Sequence, residues 1–222
     1  MRVTLSRVAL LAAVLLGCVA CDRQSADSKS GRMDDRPTFI AYIPADAGRK
    51  APLVLALSPS GDARTMLKAW QPIADQRGWI VVASKQFRNG IDYEIIFRQL
   101  TDVIDELTRD YPVDANRIAV MGLSGGAMAG HAFAQVAPGR VRAVIANCGM
   151  MEEAFQRDDY PRGKLVAFVA SPTDFRFGAM QRDRAFLEGK GWTSTWIEFS
   201  GGHTLAPTAA LDRAAAWLEE HW

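Results

Sequence analysis

Short apolar runs alternate with longer stretches of helical period along the chain from residue 38 onward. All but the first run are nearly continuously apolar, which is typical of strands covered on both faces of a mostly parallel sheet. Strands that alternate with helices predict an α/β domain. The predicted strands are residues 39–43, 53–57, 80–83, 118–122, 141–146, 165–170 and 195–199.

Helices are predicted between these strands, and Gly78, Pro112, Pro138 and Gly189 lie at the ends of four of them as helix breakers. The chain has no internal repeat and no second composition regime. We therefore predict one domain, with helices on both faces of its sheet. The predicted helices are residues 65–77, 93–109, 125–137, 180–189 and 208–220.

The composition is that of an ordinary globular protein, with 49% hydrophobic and 23% charged residues in 222. Lys plus Arg number 26 and Asp plus Glu number 25, so the chain lacks the basic excess that indicates nucleic-acid binding. Three Cys and three His give too few ligands at usable spacing for a structural zinc site. We expect neither a metal nor a nucleic-acid partner.

The N-terminus has the layout of a signal peptide. Arg2 and Arg7 precede an uninterrupted apolar run over residues 8–16. This run is far shorter than the roughly 20 residues that cross a bilayer as a helix. A permanent transmembrane anchor is therefore not expected.

The end of this segment resembles the lipobox of bacterial lipoproteins, in which the signal is cut before a cysteine that then carries lipid. Residues 15–18 read Leu-Leu-Gly-Cys, so the resemblance implies Cys18 as the lipidated residue, with Cys21 as the second candidate. It also implies a protein anchored to the membrane in the bacterial cell envelope, facing the periplasm or the exterior. An ordinary secretory signal is the alternative.

Residues 22–36 are polar and almost free of large apolar side chains, so we predict a disordered tether there. Cys148 is then the one cysteine of the folded part, and we expect it to be a buried, inert thiol without a disulfide partner. The predicted division is a lipoprotein-type signal peptide at 1–17, a lipidated Cys and tether at 18–36, and the α/β domain at 37–222.

A nucleophile elbow is predicted where the fourth strand meets its helix. Residues 122–126 read Gly-Leu-Ser-Gly-Gly, a G-x-S-x-G motif in the strand-turn-helix context that it requires. The tight turn lifts the Ser124 hydroxyl above the sheet, and the residues two before and two after it must be small. Gly122 and Gly126 meet this demand. A plain Gly-rich turn in which Ser124 caps the helix is the alternative.

A serine hydroxyl is a weak nucleophile and needs a general base, usually a histidine held by a carboxylate. His131 follows Ser124 by two helical turns, about 10 Å along the same helix, and His221 adjoins the last residue. His203 lies in a Gly-rich loop directly after the last predicted strand, from which its ring can reach over the strand ends. His203 is the predicted base.

The predicted acid is Asp174, which follows the strand at 165–170 at the carboxyl edge of the sheet, where open α/β sheets build their sites. Asp183 falls inside a predicted helix, and Asp158 with Asp159 lies in a polar loop, so these are weaker candidates. The order of serine, acid and histidine along the chain is that of α/β-hydrolases.

Backbone N–H groups must point at the oxygen that becomes charged when the serine attacks. Gly125, directly after the nucleophile, supplies one donor. The other is expected from the loop after the strand at 53–57, where Pro59 has no N–H. Ser60 is the first choice and Gly61 the second.

Over nearly all of residues 38–222 the chain resembles an α/β-hydrolase. Residues 113–126 are similar to the polyhydroxybutyrate depolymerase, feruloyl esterase and dienelactone hydrolase-like branches. Thr173-Asp174 and Gly201-Gly202-His203 match the acid and base loops of these relatives. The chain departs from them at Ser58-Pro59, where many members have His-Gly.

The resemblance implies a serine esterase that forms an acyl-enzyme and uses no metal or organic cofactor. Fewer than 30 residues lie between residue 146 and Asp174, so no substantial cap domain is expected there. The open site would suit a small-molecule ester or the exposed end of a polymer. A thioesterase or peptidase would use the same triad, and a non-catalytic envelope-binding lipoprotein on this fold is the alternative from another class.

Overall fold

The computed structural model describes residues 31–222, which form one eight-stranded sheet and five helices. The predicted signal peptide, Cys18, Cys21 and most of the predicted tether lie outside the described residues. The strands are β1 Arg32–Asp35, β2 Phe39–Ile43, β3 Ala51–Leu57, β4 Ile80–Ser84, β5 Val113–Leu123, β6 Ala143–Asn147, β7 Leu165–Ala170 and β8 Thr193–Glu198. The helices are α1 Ala63–Arg77, α2 Tyr93–Asp110, α3 Gly125–Val136, α4 Phe177–Gly189 and α5 Thr208–His221.

The strand order in the sheet is β1-β2-β4-β3-β5-β6-β7-β8. The six strands from β3 to β8 are parallel, whereas β2 is antiparallel to both of its neighbours. Buried side chains of α2, α3 and α4 pack with one face of the sheet, and those of α1 and α5 pack with the other. The prediction of an α/β domain with a mostly parallel sheet covered on both faces is confirmed.

The first strand corrects the predicted start of the folded part. Arg32–Asp35 pairs antiparallel with β2, although residues up to 36 were assigned to a disordered tether. This strand is held by polar contacts rather than by apolar burial: Asp34 accepts hydrogen bonds from the Tyr111 hydroxyl at 2.5 Å and from Arg36 Nε at 2.9 Å. Asp35 pairs with Lys85. The folded part therefore begins before residue 37.

The carboxyl ends of the parallel strands meet at one edge of the sheet, and the loops after β3, β5, β7 and β8 carry the predicted site residues. The segment between β6 and β7 holds one short 3-10 turn, Glu153–Phe155, as expected for a site without a cap domain. Within residues 31–222, no helix has both the length and the apolar character required to span a bilayer.

Candidate active site

Ser124 lies in the one-residue turn between β5 and α3. Its backbone has φ 54° and ψ −116°, a strained conformation for a residue with a side chain. A Cβ at Gly122 would lie 2.0 Å from the Gly126 carbonyl carbon, and a Cβ at Gly126 would lie 2.3 Å from the Leu57 carbonyl oxygen. Both positions therefore require glycine, which lets the strand and the helix approach closely enough to form this turn.

A continuous chain of hydrogen bonds joins the three predicted residues. His203 Nε2 lies 2.9 Å from Ser124 Oγ, and His203 Nδ1 lies 3.1 and 3.0 Å from the two carboxylate oxygens of Asp174. In this arrangement Nδ1–H donates to the carboxylate and Nε2 accepts from the serine hydroxyl. The Asp174 side chain is fully buried, whereas 30% of the His203 side chain is exposed. The ring can therefore meet both a substrate and water.

Asp174 is held as an anion. Its burial favours the protonated form, but the neighbouring Cys148 thiol, a hydrogen bond from the backbone N–H of Arg176 at 2.8 Å and the contact with His203 outweigh burial and lower its pKa. An ionised carboxylate can orient the imidazole and stabilise its protonated form.

Asn147, the last residue of β6, fixes the loop that carries His203 and was not singled out from the sequence. Its Oδ1 accepts from the backbone N–H of Ala206 at 2.8 Å, and its Nδ2 donates to the Thr204 carbonyl at 3.3 Å. Its own carbonyl accepts from the N–H of Ser124 at 2.9 Å. Through its backbone carbonyl and its side-chain amide, this one buried residue links the turn at Ser124 to the loop that carries His203. A polar residue at the end of an apolar strand was the available signal.

The other two histidines, His131 and His221, take no part in the hydrogen bonds that join Ser124, His203 and Asp174. His131 is fully buried in α3, and neither ring nitrogen has a hydrogen-bond partner among the described residues. Burial lowers its pKa to about 3, so the ring is neutral. His221 is exposed at the end of α5, where its ring stacks on Trp217. Neither ring can serve Ser124.

Asp183 has a structural position in α4. Its carboxylate is buried and accepts hydrogen bonds from the Met151 backbone N–H at 2.7 Å and from Gln156 Nε2 at 2.9 Å. These contacts fasten the segment after β6 to α4. Burial raises the pKa of Asp183 to about 6, above its ordinary value of 3.8.

The raised pKa predicts the pH dependence of an Asp183→Asn variant. As pH rises from about 4 to about 6, Asp183 ionises in the unfolded wild type before it ionises in the folded state, so the free energy of unfolding of the wild type falls. The Asp183→Asn variant has no ionisable group at this position and does not lose this stability. The difference in unfolding free energy should shift in favour of the variant by on the order of 2 kcal/mol across this window. Urea unfolding of both proteins at pH 4 and pH 7 measures it, and a pH-independent difference would contradict this role.

The two N–H groups predicted to bind the oxyanion, those of Gly125 and Ser60, are free of hydrogen bonds within the described residues. The N–H of Gly61, the second choice from the sequence, donates to the Ser58 carbonyl at 3.0 Å within the turn. Gly61 is therefore occupied, and Ser60 is the available donor.

Asn89 adds a polar group beside this position and was missed from the sequence. Its backbone N–H donates to the Pro59 carbonyl at 2.9 Å, which ties the loop after β4 to the loop after β3. A Cβ at Gly125 would lie 2.0 Å from Asn89 Oδ1. Glycine at position 125 thus leaves room for the Asn89 side chain, as well as providing an N–H.

A cavity of about 350 Å³ opens beside Gly125. Arg176 lines this cavity, and its Nη1 donates a hydrogen bond to the sulfur of Met128 at 2.8 Å. Its buried Nε has no partner among the described residues. The lining of the cavity mixes charged, polar and apolar side chains: Phe87, Arg88, Asn89, Ile91, Tyr93, Ile96, Met128, Glu152 and Arg176.

Cys148, Asp174 and His203 are the one group in residues 31–222 whose side chains combine the donor types that bind metal ions. Both ring nitrogens of His203 already take part in the chain from Ser124 to Asp174. A metal ion on this group would have to break those hydrogen bonds. The arrangement fits proton transfer better than metal binding.

Comparison with known proteins gives a match in structure only. No protein-family model matches the chain, and no curated protein matches it. The structure of a Bacillus cereus carboxylesterase superposes with a TM-score of 0.66 at 19% identity, covering 86% of this chain and 95% of that one. A thermostable esterase from Pseudomonas putida gives a TM-score of 0.70 at 15% identity, with 88% and 84% covered. An esterase called PE8 gives 0.67 at 21% identity, with 87% and 99% covered.

At these identities the likeness establishes the fold. The chain has the single-domain α/β-hydrolase fold, as its sequence resemblance implied.

Proposed function

We propose that the protein is a serine hydrolase that cleaves carboxylic esters through an acyl-enzyme on Ser124. The observation that carries the proposal is the unbroken chain of hydrogen bonds from Ser124 Oγ through His203 to the buried Asp174 carboxylate. The esterases among the similar structures support the reaction class.

In the acylation half, Ser124 Oγ attacks the carbonyl carbon of the ester while its proton passes to His203 Nε2. The carbon–oxygen bond to the alcohol then breaks, and the leaving oxygen takes the proton from Nε2. Asp174 remains ionised, holds the ring through Nδ1–H and stabilises its positive charge. The alcohol leaves with the acyl group bound to Ser124.

In the deacylation half, His203 Nε2 takes a proton from a water molecule, whose oxygen attacks the acyl carbon. The bond to Ser124 Oγ then breaks, the serine recovers the proton from Nε2, and the carboxylic acid is released. Partial exposure of the ring gives the water access to Nε2.

The negative oxygen of both tetrahedral intermediates would accept hydrogen bonds from the N–H groups of Gly125 and Ser60. Removal of one such donor costs about 100- to 1,000-fold in rate in serine hydrolases. Because the Ser60 donor belongs to the backbone, its hydroxyl is not required for this role. The departure at Ser58-Pro59 from the His-Gly of many relatives leaves these two donors in place.

The class of reaction is tested with a fluorophosphonate probe, which phosphonylates activated serines. We expect the purified protein to gain one phosphonyl group, the probe mass less HF, on the peptide that contains Ser124. Absence of labelling would favour the non-catalytic binding protein. The placement of three residues by three separate loops weighs against that alternative, because a binding protein does not need it. Faster turnover of thioesters or peptide amides than of esters would support the same triad acting on a different bond.

The cavity predicts a preference for short acyl chains. Arg88, Arg176 and Glu152 line it, and a long alkyl chain would remove water from these charged groups without replacing their hydrogen bonds. We expect kcat/KM for p-nitrophenyl esters to be highest between acetate and butyrate and to fall by about tenfold or more at octanoate. A steady rise toward long chains would contradict the assignment of this cavity to the acyl group.

We also propose that the N-terminal signal delivers the protein to the bacterial cell envelope with lipid on Cys18, or on Cys21. Growth with a radiolabelled fatty acid tests this: label on the wild type that is lost in Cys18→Ala supports Cys18, and loss only in Cys21→Ala supports the second candidate. A protein without label would be an ordinary secreted one.

A further inference from the structure

Phe175 presents an apolar ring to solvent beside the candidate base. Of the large apolar side chains exposed within residues 31–222 it is the most exposed, at 76%. Its ring centroid lies 4.6 Å from that of the His203 ring, with 39° between the two planes. Single exposed apolar side chains are common on protein surfaces, but this one contacts the imidazole of the triad. Its open surface is available to a molecule that binds there.

The acid loop holds Phe175 in this position. The backbone N–H of Phe177 donates to the Asp174 carbonyl at 3.0 Å, which closes a turn around residues 175 and 176. The guanidinium carbon of Arg176 lies 5.4 Å from the Phe175 ring centroid, a distance at which a cation is attracted to the π electrons. The ring therefore has two neighbours, His203 and Arg176, and an uncovered remainder.

The proposed reaction brings the alcohol part of the ester next to this ring. In the acylation half, the leaving oxygen takes its proton from His203 Nε2 and must come within about 2.8 Å of that nitrogen. The alcohol carbons extend from this oxygen, and Phe175 packs against the same imidazole. Phe175 is absent from the lining of the cavity beside Gly125, to which the acyl group is assigned. The two halves of the ester therefore meet different side chains.

We propose that Phe175 is a specificity-determining residue, whose exposed ring packs against the alcohol part of the ester and favours a flat, aromatic alcohol. The proposal rests on the proposed function, because it concerns the leaving group of that reaction. An aromatic group on Phe175 covers apolar surface and adds the stacked or edge contact that aromatic pairs prefer, with centroids about 4.5–7 Å apart. A saturated group of similar size covers the surface without that contact.

The substrates that test this assignment are benzyl butyrate and methyl butyrate. Both esters give the same butyryl-enzyme, so a difference in kcat/KM between them arises in acylation. Benzyl alcohol and methanol are similar in acidity, so the two esters also have similar chemical reactivity. We expect kcat/KM of the wild type, measured by titration of the released acid, to be about tenfold higher for the benzyl ester. Cyclohexylmethyl butyrate, whose ring is not flat, should fall between them.

Two variants separate the aromatic ring from the loop that carries it. Phe175→Ala removes the ring, and the ratio of kcat/KM for benzyl to methyl butyrate should fall by about tenfold. Phe175→Tyr keeps the ring and should keep this ratio within about twofold of the wild type. Because the side chain is exposed, both variants are expected to fold, and circular dichroism checks this.

A wild-type ratio near one would overturn the proposal. So would an equal fall for both esters in Phe175→Ala, because the ring would then act on His203 rather than on the alcohol. Saturation-transfer NMR with benzyl alcohol requires no turnover: a signal that the wild type gives and Phe175→Ala loses supports the contact, whereas equal signals contradict it. A wild type that hydrolyses neither ester would count against the proposed function, and the NMR measurement would still decide whether Phe175 binds an aromatic alcohol.

Discussion

Replacement of Ser124 by alanine is expected to abolish ester hydrolysis, with kcat reduced by at least about 10⁴-fold. In the proposed mechanism the hydroxyl oxygen forms the acyl-enzyme, and its neighbour His203 Nε2, 2.9 Å away, would have no proton to accept from the alanine side chain. Alanine keeps the Cβ at φ 54°, so the turn should fold as before. Rates of p-nitrophenyl acetate hydrolysis and the circular dichroism of both proteins measure the effect.

The matched control is Ser60→Ala, which removes a hydroxyl that contacts Ser58 in the loop after β3 but keeps the backbone N–H. We expect it to retain kcat within about fivefold. A Ser124→Ala protein that keeps a tenth or more of the wild-type rate would refute the acyl-enzyme mechanism.

Replacement of Asp174 by asparagine is expected to lower kcat by about 10⁴-fold at neutral pH. The amide removes the charge that stabilises protonated His203, and it can present an N–H to Nδ1 and so favour the wrong tautomer of the ring. The side chain is fully buried, so water cannot replace the lost carboxylate. Single-turnover acylation by p-nitrophenyl acetate reports the loss directly.

Asp183→Asn provides the control for this change, since it is the same substitution at a second buried aspartate. Its carboxylate contacts Met151 and Gln156 rather than the triad, so kcat is expected to remain within about threefold. If the two variants lost activity equally, the assignment of Asp174 as the acid would fail.

The fold could be predicted wherever its strands are apolar. Residues 165–170 were assigned as a strand with the bounds that the structure has, because all six side chains are buried between two layers of helices. The strand Arg32–Asp35 could not be found in this way. Three of its four side chains are polar and Met33 is exposed, and its pairing depends on contacts of Asp34 with Tyr111, 77 residues away in the chain. Such distant polar contacts leave no periodicity in the local sequence.

The site was predictable where chemistry constrains residue type. The tight turn at Ser124 demands glycine on both sides, and a Gly-rich loop after the last strand makes His203 the candidate base by elimination; in the structure its Nε2 lies 2.9 Å from Ser124 Oγ. The sequence marks Asn147 only as a polar residue at the end of an apolar strand, and its contacts with Thr204 and Ala206 were not predictable because the fold brings these loops together. For Cys148 the sequence indicated burial but not its neighbour, and the left-handed φ that sets its direction is invisible without the structure.

The direction of β1 bears on how an anchored protein would meet its substrate. Because β1 is antiparallel to β2, and β2 to β4, β1 runs in the same direction as the parallel strands. Residue 31 therefore enters the sheet at its amino edge, whereas Ser124 lies at the carboxyl edge. If, as proposed, lipid on Cys18 anchors the chain, the tether joins the domain at the edge of the sheet opposite the site and leaves the mouth of the site uncovered.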